Sequence, residues 1–108
     1  MGMVAVAVAG DCERARAQYE DLALEEALQS SFSDPTNPVC QEVRALVLIA
    51  LGRRTDAETT LHTLFEKWPD HPVDLRALAP IERAFIGRIR AARRPLSVDV
   101  TAEWLVHS

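Results

Sequence analysis

A chain of 108 residues has room for one domain and one modest core, which excludes an enzyme built around a separate substrate domain. Its formal charge of −4 conceals a segregation, with seven acidic and two basic residues between Asp11 and Asp34 but six arginines and only Glu82 between Arg76 and Arg94. An acidic front and a basic end favour end-to-end association or an anionic partner over generic nucleic-acid binding. As a plain surface, the same arginines form a solvated face.

The chain starts with MGMVAVAVAG, residues 1–10, an apolar run too short to span a bilayer. Ala5-Val6-Ala7 and Ala7-Val8-Ala9 both offer a small-x-small cleavage site, as at the end of a secretory signal, although no basic residue precedes the run. Cys12 follows Asp11 rather than a small residue and so makes a poor lipoprotein cysteine. An exported protein and a cytoplasmic chain with a frayed tail both remain open.

Helical periodicity begins near Asp11 and runs to Leu22, with Cys12, Ala15, Tyr19 and Leu22 on one stripe. A second helix, from Leu24 to Phe32, places Leu24, Ala27, Leu28 and Phe32 inward and stops before Asp34-Pro35. Asn37-Pro38 opens a third helix as an N-cap followed by proline at the first helical position. Its apolar residues, Val39, Val43, Leu46, Val47 and Ala50 with Leu48, Ile49 and Leu51, spread over several sides, so this helix is expected to be the most buried. Gly52 ends it, and Thr55 with Glu58 reads as a capping box for a fourth helix carrying Ala57, Leu61, Leu64, Phe65 and Trp68. Pro69-Asp70-His71-Pro72 breaks the chain, and Pro80 restarts it as a fifth helix to about Arg94 with Ile81, Ala84, Phe85, Ile89 and Ala92 as its stripe. After Pro95 the apolar period falls to two, through Leu96, Val98, Val100, Ala102, Trp104 and Val106, which predicts a strand with one buried face.

The 34-residue stretch from Gln41 to Asp74 carries Ala45, Leu48, Gly52, Ala57, Leu61, Leu64 and Pro69 at the small, bulky and turn positions of a helical hairpin, and in this it resembles the tetratricopeptide repeat (TPR) family. Ala15, Tyr19 and Ala27 suggest a degenerate first copy. The resemblance implies an all-α fold of two antiparallel TPR-like hairpins and a capping fifth helix, followed here by the C-terminal β-strand. Residues 1–10 are then a tail or signal remnant, 11–94 the helical domain, and 95–108 a linker and strand. The order of elements is also similar to that of exported proteins of high-GC bacteria. There, two such hairpins precede a helix opening like Ala79-Pro80-Ile81 and ending in Ala-Arg-Arg-Pro, and a β-sandwich follows. On that resemblance Leu96 to Ser108 is the first strand of a further domain.

A TPR-like fold implies a non-enzymatic interaction or scaffold module whose groove is lined by the first helix of each hairpin. Position by position this selects Arg16, Glu20, Glu42 and Ile49 as contacts for a peptide or protein partner. The alternative is an assembly subunit that self-associates through the terminal strand and the basic fifth helix, with Arg83, Arg88, Arg90, Arg93 and Arg94 as its surface. Neighbouring repeats bring the first turns holding Cys12 and Cys40 together, so the two are either buried free thiols or a disulfide worth about 3 kcal/mol in an oxidising compartment. His71, between Asp70 and Asp74, reads as a solvated turn residue before a weak metal ligand, and Trp68 and Trp104 as core anchors. The sequence holds no CxxC, no HExxH and no phosphate-binding glycine loop, so no catalytic, cofactor or metal set is expected.

Overall fold

The computed structural model describes the backbone of residues 2–93 and the side chains of residues 10–92. The alternating segment from Leu96 to Val106 therefore lies outside the described residues. Within them the chain is all-helical, with no strand: α1 spans Gly2–Glu20, α2 Leu24–Ser30, α3 Pro38–Ala50, α4 Arg54–Lys67 and α5 Pro80–Arg93. Helix α1 packs on α2, α3 on α4, the first pair on α3, and α5 on α4. None of the described helices is long and apolar enough to cross a membrane.

Helix α1 begins at Gly2, well before the expected start at Asp11. Asp11 is thus no cap and pairs instead with Arg14 at 3.1 Å. The helix ends with Leu22 at φ 64. The Leu22 amide donates to the Tyr19 carbonyl at 3.0 Å and the Ala23 amide to the Gln18 carbonyl at 2.8 Å, the double bond pattern of a Schellman turn. Helix α3 ends the same way, with Gly52 at φ 78, its amide on Ile49 and the Arg53 amide on Leu48. Two hairpins therefore turn on one device, built around leucine in the first and glycine in the second.

At the start of α3, Asn37 Oδ1 accepts the Val39 amide at 2.9 Å ahead of Pro38, as the pair predicts. The expected Thr55–Glu58 capping box does not form. The Schellman turn leads straight into α4, so Arg53 becomes the N-cap and bridges to Asp56 at 2.8 Å, while Thr55 and Glu58 fall inside the helix. A capping contact appears at α5 instead, where Glu82 Oε1 accepts the Ala79 amide at 2.9 Å.

The core is centred on α3, which buries Val43, Ala45, Leu46, Val47 and Leu48 against Ala15, Ala27, Ala57, Leu61, Leu64 and Phe65. Four of these are alanines with no exposed surface, which lets the helix backbones approach closely. Trp68 packs partly buried against this core. Six inward assignments from periodicity are corrected, of which Ala50, Ala84 and Ala92 are small residues left exposed on α3 and α5. Leu22 is 79 % exposed, because its turn carries it out of the helix. Phe32 is 58 % exposed, because i→i−3 bonds close α2 two residues early and Arg44 stacks on the ring at 3.9 Å. Ile81 is 67 % exposed and Ile86 takes the buried place, with Phe85 and Ile89. Hydrogen bonds from Arg83 to Leu78 and from Arg90 to Pro69 and His71 fix that rotation of α5.

Candidate functional site

A groove of about 550 Å³, open to solvent, lies between the C-terminal ends of α1 and α3 and the segment from Asp74 to Glu82. Tyr19 and Leu22 line it from α1 and its turn, Ile49 and Ala50 from α3, and Ala77 and Leu78 from the segment that leads into α5. Its charged residues are Glu20, Asp74 and Glu82 against Arg76. Of the four groove residues expected from the sequence, Glu20 and Ile49 meet here.

Arg16 and Glu42 do not line this groove, and the assignment of Glu42 as a partner contact is corrected. Its carboxylate is 2 % exposed and is taken up by the protein itself. Oε1 accepts from Arg16 at 3.0 Å and lies 2.9 Å from His71 Nε2, while Oε2 accepts the Asp74 amide at 2.9 Å. A carboxylate buried to this degree needs such donors, since desolvation otherwise opposes its charge. His71 is correspondingly a partly buried partner of α3 rather than a free turn residue. Glu42 thus ties α1 and the loop after α4 to α3, and the loop in turn shapes one wall of the groove.

On that wall Asp74 receives Arg76 Nε at 2.9 Å and the second guanidinium nitrogen at 2.8 Å. These bonds, with the Arg76 amide, hold the Asp74 carboxyl down at about 2. The Tyr19 phenol shifts the other way, first by burial and then by the nearby charges of Asp74, Glu82, Glu20 and Glu42. It therefore keeps its proton at neutral pH and presents a hydroxyl donor beside the apolar walls.

The expected basic surface is not one patch. Arg90 stacks on Phe65 at 4.2 Å and donates to the Pro69 and His71 carbonyls, so it clamps the α4–α5 loop. Arg83 donates to Leu78 at the start of α5. Arg88 is exposed, beside a shallow depression that it shares with Arg54, His62 and Phe85. The side chain of Arg93 and all of Arg94 lie outside the described residues.

Cys12 and Cys40 are joined in a disulfide that spans 28 residues and links α1 to α3. Both are almost fully buried. Among the described residues no group of three or more His, Cys, Asp or Glu side chains is arranged to hold a metal ion. No family model, no curated protein and no solved structure matches the chain.

Proposed function

We propose that the chain is a non-enzymatic, TPR-like interaction module that presents the groove between α1, α3 and the Asp74–Glu82 segment to a peptide or protein partner. The observation that carries this reading is the groove itself: apolar walls, a few convergent polar groups and a volume within the range of ligand sites. Three features support a TPR-like architecture beneath it. Two successive hairpins share one turn geometry, alanines occupy their close crossings, and the groove draws its lining from α1 and α3, the first helix of each. The Cys12–Cys40 bond further supports an oxidising compartment and hence export.

The test is selection of binders from a phage-displayed random peptide library on the intact oxidised chain, followed by amide shift mapping of the selected peptides. Perturbations should centre on Glu20, Leu22, Ile49, Ala77 and Leu78. A selection that yields no binder, or binders that perturb other surfaces, removes the reading. The alternative of an assembly subunit draws on one observation, that Ile81 and Arg88 of α5 are both exposed. Concentration-dependent dimerisation abolished by Ile81→Ser would favour it.

A further inference from the structure

The groove carries an unequal charge set at an unusual place in the fold. Both α1 and α3 end there, at Glu20 and Ala50, so the negative ends of two helix dipoles face the same opening. Cations, not carboxylates, complement helix C-termini, yet the side chains added by the chain are predominantly acidic. Of the three carboxylates, Asp74 is neutralised by its two-bonded pair with Arg76. Glu82 commits one oxygen to the Ala79 amide, where it also offsets the positive end of α5. Glu20 is exposed at the last turn of α1. The groove is thus left with two carboxylates beyond its one ion pair, next to two helix C-termini.

The apolar contribution is as specific. Leu22 stands 79 % exposed at the rim, held in the left-handed region where the equivalent turn of the second hairpin uses Gly52. A large apolar side chain is thus displayed beside Tyr19 and Ile49.

We infer that the groove takes a basic and apolar peptide segment, in which an arginine or lysine sits between Glu20 and Glu82 while a flanking bulky aliphatic or aromatic side chain packs on Leu22, Tyr19 and Ile49. Charge complementarity selects this occupant over an acidic peptide. The inference rests on the groove being a peptide site, as proposed above, and adds the chemistry of the partner.

The experiment is fluorescence anisotropy on the full, oxidised chain with three labelled nonapeptides of one frame, Ser-Gly-Leu-Arg-Trp-Arg-Leu-Gly-Ser and its counterparts with both arginines replaced by serine or by glutamate. The arginine peptide should bind about tenfold more tightly than the serine peptide, and the glutamate peptide least. Glu20→Arg should weaken the arginine peptide about fivefold, and Arg76→Gln, which frees the Asp74 charge, should tighten it about twofold. Both effects should shrink between about 50 mM and about 300 mM salt. Opposite signs from two exposed positions are not what a structural disturbance produces, and matching circular dichroism spectra establish that both variants are folded. Equal binding of the three peptides, preference for glutamate, or indifference to Glu20→Arg overturns the charge assignment while leaving a peptide groove. Absence of binding by all three overturns the groove reading as well.

Discussion

A carboxylate with 2 % of its surface exposed persists in a helix interior only when its oxygens meet donors, and Glu42 meets three, from Arg16, His71 and the Asp74 amide. Glu42→Ala strips one partner from all three at once and should cost about 3–5 kcal/mol in a urea melt. Glu42→Gln keeps the shape and one acceptor and should cost less, about 1–3 kcal/mol. Equal losses would show that the packing, not the charge, is what the site provides. Asp74 gives a second residue-scale prediction. Its folded-state carboxyl titrates at about 2 against an ordinary 3.8, chiefly because Arg76 bonds to it. The stabilisation this represents is present above about 3.8 and is lost as pH falls towards about 2. Arg76 is 84 % exposed, so the effect on overall stability is small, but Arg76→Gln should raise the Asp74 midpoint towards 3.8 in a carboxyl NMR titration. An unmoved midpoint would assign the shift to some other group.

At the level of the helices, the two Schellman turns form a matched pair with one conspicuous difference. Ala15 and Ala45, Leu22 and Gly52, and Ala27 and Ala57 correspond at a spacing of 30 residues. The spacing is shorter than the 34-residue stretch of the second copy because α2 has 7 residues where α4 has 14. Leu22 holds a backbone conformation that an L-residue enters at a cost of about 1 kcal/mol, and nothing in the core compensates it, since the side chain is exposed. Leu22→Gly should accordingly raise stability by about 0.5–1 kcal/mol, while removing one wall of the groove. Gly52→Ala should do the reverse, losing about 1 kcal/mol although a Cβ there would meet nothing within 4 Å. Denaturant midpoints shifted in opposite directions at unchanged slope would bear this out, and shifts of the same sign would contradict it.

Over the whole molecule, the Cys12–Cys40 bond and the Arg16–Glu42 pair both join α1 to α3, one covalently and one electrostatically. The hairpins are thus fastened to each other at their first helices, and the groove opens where those helices end. Closing a 28-residue loop in the unfolded chain corresponds to about 3.6 kcal/mol in the chain-entropy picture. Cys12→Ala with Cys40→Ala should therefore lower unfolding free energy by about that amount. Because the removed cross-link acts mainly on the unfolded ensemble, the variant's native amide spectrum should remain close to that of the oxidised chain. Widespread shifts around Ile49 and Tyr19 would show instead that the bond shapes the groove.

What the sequence determined by itself was local. The Asn37-Pro38 start of α3, its end at Gly52, the heavy burial of α3 and the inward places of Leu61 and Leu64 all follow from spacing, caps and turn chemistry within a few residues. Glu20 and Ile49, selected by the resemblance to a tetratricopeptide array, both line the groove beside α1 and α3, whereas Arg16 and Glu42, selected in the same way, do not. The tertiary structure alone decided what depends on distant partners. Glu42 finds its donors 26, 29 and 32 residues away, and no local pattern separates such a carboxylate from one that faces solvent. Arg90 looked like surface charge until Phe65 and the Pro69 and His71 carbonyls came within its reach. The choice between Ile81 and Ile86 was equally remote from periodicity, since both suit an amphipathic helix and only the loop contacts that rotate α5 select one. Periodicity states that a face will be buried, but the donors and acceptors brought by the rest of the chain fix which face it is.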